Sequence, residues 1–161
     1  MMNDRAAKTA LVYALLRASA NLADTWGQTP HQAVNKGWHN GDTDSSGRER
    51  TSREGRRACA AHCLSYVALQ GLAVLGGSAV TGTRLRYGRV AAGLALSGMT
   101  HYYADRRRPL KALAKRVGKG EFWDLGGELG GNFQLDQAWH HSWELVAALL
   151  IAGGKERDSH V

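Results

Sequence analysis

His101 with Asp105 and Asp136 with His140 are two imidazole–carboxylate pairs, each spaced four residues apart. On a helix such residues lie one above the other on a single face. Each pair therefore presents a ring nitrogen and a carboxylate oxygen in the same direction. Asp24 and His62 extend the set to three carboxylates and three imidazoles. That donor set suits one or two divalent ions such as Zn, Mn or Fe. Mixed N/O ligation with open positions activates water and polarises a phosphoryl oxygen. The bland alternative for one such pair is a helical surface ion pair, and for the whole layer a structural polar network.

The six residues sit at the ends of four apolar segments. Asp24 closes the first and His62 lies near the start of the second. His101 and Asp105 close the third; Asp136 and His140 open the fourth. Antiparallel helices joined in sequence place all six in one layer. The pattern predicts long helices over about Ala6–Asp24, Arg57–Val80, Arg89–Arg106 and Leu135–Ala152. Thr29-Pro30 reads as a cap followed by proline at the first helical position, opening a short helix His31–Lys36 that stops at Gly37. Arg106–Gly120 reads as a short basic helix. Residues 39–56 are polar, charged and Gly/Ser-containing, and are expected to form a mobile loop in which Asp42 has no structural work. Residues 154–161 are expected to be a C-terminal tail. Gly126–Gly131 is glycine-rich but has no preceding strand and no Lys-Ser/Thr ending, so it is not a phosphate loop. Alternating β-branched patterns are scarce, so the expected class is all-α, one helical domain over 1–161, arranged as a four-helix up-down bundle.

The chain has 161 residues and a formal charge of +7, with pI near 9.8, which points to an anionic substrate or partner. Cys59 and Cys63 are the only cysteines; one helical turn apart, they cannot join two elements, so no disulfide framework is implied. With His62 they form an incomplete zinc set, and buried small side chains are the simpler reading. Arg5 and Lys8 before Ala10–Leu16 resemble the start of a signal peptide, but Arg17 interrupts the apolar run. Arg17 lies seven residues before Asp24, about 10 Å deeper on the same face. Glu144 lies one turn deeper than His140, so a buried Arg17–Glu144 pair is a natural expectation. His141 and Trp143 read as rim or core. Gln28, His31 and Lys36 follow Asp24 and are placed to cover the site. Lys36, Arg107 and Arg108 are the candidate contacts for an anionic substrate.

Membrane and soluble readings both remain open on the residues alone. No segment holds 18 clean apolar residues, which favours a soluble cytoplasmic bundle. Yet Cys59–Gly82 contains no Asp, Glu, Lys or Arg, and His62 is its one side chain that gains charge near neutral pH. Thirteen Lys/Arg fall on the connections at the His/Asp end against seven at the other. That excess would put the site end in the cytoplasm of a cell-membrane protein. All five Trp also fall near that end. A nucleic-acid-binding bundle is disfavoured, because aromatic residues do not interleave with the basic ones.

The order Asn21-Leu22-Ala23-Asp24, Gln28-Thr29, Asn35-Lys36-Gly37, His62, Thr100-His101-Tyr102-Tyr103-Ala104-Asp105-Arg106-Arg107 and Leu135-Asp136-Gln137-Ala138-Trp139-His140 resembles domain-of-unknown-function family 3307. This is a group of short helical membrane proteins of bacteria and actinobacterial phages, distantly similar to membrane-bound, metal-dependent hydrolases of the YdjM type. The resemblance covers nearly the whole chain. It implies a multi-pass membrane protein in contact with lipid and carrying a His/Asp metal centre. One departure is clear: family members commonly have His four residues before the first Asp, where this chain has Ala20. The resulting expectation is a membrane-associated, metal-dependent phosphoester hydrolase acting on a lipid headgroup or nucleotide. Its ligands would be Asp24, His62, His101, Asp105, Asp136 and His140, with Asp24, Asp105 and Asp136 as the carboxylates of catalysis. The competing expectations are a non-enzymatic phage or bacterial membrane protein with a structural His/Asp layer, and the soluble basic bundle.

Overall fold

The computed structural model describes residues 4–127 and 130–153. Among them seven helices form and no strand; one isolated antiparallel bridge joins Thr43 and Glu49. Four helices are long: α1 (Asp4–Thr25), α3 (Ser52–Val80), α4 (Tyr87–Asp105) and α7 (Gly131–Ala152). Three are short: α2 (Pro30–Asn35), α5 (Arg108–Arg116) and α6 (Gly120–Trp123). The expected tail, 154–161, lies outside the described residues.

The long helices close a ring: α1 packs on α3 and α7, and α4 packs on α3 and α7. Contacts between neighbours run in opposite chain order. Asp24 meets His62 while Leu16 meets Gln70; His62 meets His101 while Gln70 meets Ser97. On the fourth side His101 stacks on His140 and Gly93 lies against Ile151. A methyl on Gly93 would collide with that isoleucine, so glycine sets the α4–α7 approach. At the end away from the His/Asp layer the core is apolar, built from Val12, Leu16, Val74, Val90, Ala147 and Ile151. Taking the Val, Leu and Ile side chains of this core out of water is worth about 1.5–3 kcal/mol each.

α3 starts five residues earlier than the hydropathy pattern predicts. Thr51 accepts from the Glu54 amide, and the Glu54 carboxylate accepts from the Thr51 amide. This reciprocal cap extends the helix over residues that composition alone assigns to the loop. α2 has the same device from Thr29 and Gln32. The rest of 39–56 is laced together. Asn40 and Ser52 exchange hydrogen bonds, and Asp42 accepts from the His39 amide and pairs with Arg108 at 2.6 Å. Asp42 thus ties the loop to α5, contrary to the expectation that it has no structural work. α5 is separate from α4, because Arg107 breaks the helix with φ of +56°. That backbone region is costly for a residue with a Cβ.

Along the middle of the long helices many exposed positions are apolar. Leu64, Leu72 and Met99 are 73%, 71% and 65% exposed. Of the described helices, α3 alone is long and apolar enough to cross a membrane, a test that a core helix of a soluble protein also passes.

Candidate metal centre

Each long helix delivers a side chain to one layer. The last turn of α1 supplies Asp24, with its backbone carbonyl held by the Gln28 amide. The third turn of α3 supplies His62. The last two turns of α4 supply His101 and Asp105 on one face, and α7 supplies Asp136 and His140. His62 Nε2 lies 3.0 Å from both Asp24 Oδ1 and His101 Nε2. His101 Nε2 lies 3.4 Å from Asp24 Oδ1 and 3.0 Å from Asp105 Oδ2, which is 3.5 Å from His62 Nε2. Two ring nitrogens and two carboxylate oxygens, from three helices, thus face one another at hydrogen-bond distance. His140 joins from above: its ring stacks on His101 at 4.4 Å, and its ligand atom shares a close group with His101 and Asp105. Asp136 stands apart from these tight groups. Its Oδ2 reaches His140 Nε2 at 3.3 Å, and its side chain is 27% exposed at the rim.

The donor set fits a cation. Two neutral imidazoles bring one proton each, yet both Nδ1 atoms are buried without a protein hydrogen-bond partner among the described residues. The same holds for Asp105 Oδ2, which has no properly directed donor. Four electron-rich atoms facing inward with too few directed protons form a site that a divalent ion would satisfy. Nitrogens 3.0 Å apart, each about 2.1 Å from a shared ion, would subtend roughly 90°. Asp24, His62 and His101 form one candidate group, and His101, Asp105 and His140 a second that overlaps it.

Lys36 Nζ pairs with Asp105 Oδ1 at 2.8 Å and is nearly buried. It is held there by Arg106, which sequence reading left in an undifferentiated basic run. Arg106 is 5% exposed and donates to the carbonyls of Lys36 and Trp38 at 2.6 and 2.7 Å. Gly55 lets it approach: a Cβ there would strike both the Trp38 carbonyl and the Arg106 guanidinium. A cavity of about 470 Å³ opens over the layer. Asp24, Lys36, Asp105, Arg107, Asp136 and His140 line it, together with the amides of Asn21, Gln28, Asn132 and Gln137. Arg108, the third expected substrate contact, is not brought there; it is turned to Asp42. His31 is exposed and lies on a different groove.

Beneath the layer the expected ion pair forms. Arg17 Nη1 donates to Glu144 at 2.9 and 3.0 Å, and the Tyr66 hydroxyl donates to the same carboxylate at 2.9 Å. Tyr66 stacks on His101 at 3.8 Å between ring centroids. Ala20 is fully buried against Ala23 and Tyr66, so the position where the resembling family carries His is here a packing position.

Comparison with family models, curated proteins and solved structures finds no match.

Proposed function

We propose that this chain is an up-down four-helix membrane protein whose His/Asp layer binds a divalent metal at the cytoplasmic end and hydrolyses an anionic phosphoester. The single observation that carries the reading is the convergence of Asp24, His62, His101 and Asp105 within 3.5 Å contacts, with Asp105 Oδ2 lacking a directed donor. Asp24, His62, His101, Asp105 and His140 would hold one or two ions, and this mixed N/O set suits Zn, Mn or Fe. The ion supplies Lewis-acid activation of water and of the phosphoryl oxygen. Lys36 and Arg107 attract the phosphate charge at the cavity wall. Asp136, which among the described residues meets His140 and Gln137, would accept a proton as general base. The amide-lined wall suits the hydroxyls of a headgroup or a nucleotide sugar.

The membrane part of the reading is supported by inverted polarity. The exposed positions between Ala10 and Ala18, Ala60 and Val80, Ala91 and Met99, and Ser142 and Leu150 carry no charge. The ions and amides of the same stretches, Arg17, Gln70 and Glu144, point inward. A soluble bundle distributes polarity the other way, and lipid favours this one.

Metal analysis of the detergent-purified protein tests the proposal. Wild type should retain stoichiometric divalent metal and release phosphate from a phosphoester substrate. Asp105→Asn keeps side-chain shape but removes the charge that neutralises the ion; it and His101→Ala should each weaken metal binding by more than the roughly 10–100-fold that losing an outer partner causes, and so lower metal content. Turnover should fall with metal content while helicity stays. Equal metal content in all three proteins would leave the layer as a polar network. Ala20 favours that second reading, since a packing residue has replaced one donor the resembling family has.

A further inference from the structure

Asp105 has a second set of neighbours. Cys59 and Cys63 lie one turn apart on α3, on either side of the turn that carries His62, and both are free and buried. Their sulfurs and one Asp105 carboxylate oxygen all lie within 4.8 Å of one another. Cys59 makes a long contact to the Tyr102 carbonyl, at 3.8 Å, and its thiol lies against that of Cys63. Asp105 is 5% exposed, and its Oδ2 has no directed donor. One carboxylate therefore stands between two imidazoles and two thiols.

We propose that Cys59, Cys63 and Asp105 form a second cation site, selective for a borderline-soft ion such as Zn²⁺, which shares Asp105 with the His/Asp layer as a bridging carboxylate. Thiolate ligands select such an ion over Mg, Ca or Mn. Two sulfurs bound at about 2.3 Å in a tetrahedral site are roughly 3.8 Å apart, within the span observed here. Binding converts each S–H to a thiolate, and both protons go to solvent. Two thiolates and one carboxylate then face a divalent ion with one negative charge in excess. The Lys36 ammonium, 2.8 Å from Asp105 Oδ1, offsets it. Asp105 already serves Lys36 and His101, so what points to a site is that two buried sulfurs lie within 4.8 Å of that carboxylate and of each other. The site needs no hydrolytic activity and stands whether or not the layer above it is catalytic.

Cobalt(II) titration of the full chain in detergent reads the two sites separately. Wild type should develop an intense near-ultraviolet thiolate-to-cobalt charge-transfer band together with weak visible bands. The Cys59→Ser, Cys63→Ser double variant should lose the charge-transfer band and keep the visible bands of the N/O layer. His101→Ala should keep the charge-transfer band, and Asp105→Asn should weaken both. A measurement on the wild type alone guards against a variant that fails to fold: Zn²⁺ should slow modification of the two thiols by a disulfide reagent about tenfold or more, because metal-held sulfur is withdrawn as a nucleophile. No charge-transfer band in wild type, or thiols equally reactive with and without Zn²⁺, overturns the thiolate site.

Discussion

Glu144 is 1% exposed and holds three donor contacts, two from Arg17 and one from Tyr66. Through Tyr66 it supports the stacked rings of His101 and His140. Glu144→Ala strands a buried guanidinium and a buried hydroxyl, so it should cost about 3–5 kcal/mol. Arg17→Met combined with Glu144→Leu removes both charges and should recover most of that loss. Denaturation of the three variants in the same detergent measures it; a double variant no better than the single would remove the stranded charge as the cause. This pair was legible in the sequence, because seven-residue and four-residue spacings fix relative depth on helices whose faces are known. Arg106 was not. Its neighbours Arg107 and Arg108 are chemically identical, and only the point where α4 ends decides which of the three turns inward. Asp105 was legible as a partner of His101, but its approach to Cys59 and Cys63 depends on how closely α3 and α4 pack, which no spacing within one helix encodes.

At the scale of elements, the caps explain what composition misses. Thr51-Ser52-Arg53-Glu54 is a capping box lying inside a stretch that is otherwise all polar. Its signal is local chemistry rather than hydrophobic period, so a reading by period starts α3 too late. Thr51→Ala removes the acceptor for the Glu54 amide and should cost about 1 kcal/mol, seen as a lower thermal midpoint. α6 spans four residues with no cap side chain, too little for any pattern to announce it. In the loop, Asp44 accepts from the Ser46 hydroxyl and from the amides of Ser46 and Arg48, and pairs with Arg50. The Ser46 hydroxyl contributes most to holding this carboxyl down at about 2, aided by the two amides and Arg50 against partial desolvation. A carboxyl lowered on folding stabilises the fold fully above its ordinary value of 3.8 and loses that contribution as pH falls through about 2. The Ser46 and Arg48 amide resonances should therefore stay constant from neutral pH to about pH 4 and shift together with a midpoint well below 3.8. A midpoint at 3.8 would show that the turn gains nothing from the charge.

For the whole molecule, sidedness is the property to measure. If the apolar flanks of the long helices face lipid, the connections before α3 and after α4 lie on one side and the α3–α4 connection on the other. Reporter insertions at Gly47 and Gly118 should score as cytoplasmic and one at Gly82 as external; all three glycines sit in exposed turns with positive φ. The same score at all three positions would place the bundle outside the bilayer. The ring of helices has a mechanical consequence as well. Asp24, His62 and His101 come from α1, α3 and α4, and His140 of α7 shares a second close group with His101 and Asp105, so an ion in either group would be a rivet between helices and the two groups together tie all four. Each helix that holds an ion would have to let go before it escaped, and a free concentration a hundredfold above the dissociation constant would add about 2.7 kcal/mol to the folded state. Chelation would then lower the melting temperature of the entire bundle in one cooperative step, whereas a chelator acting on a surface ion would leave the melt unmoved.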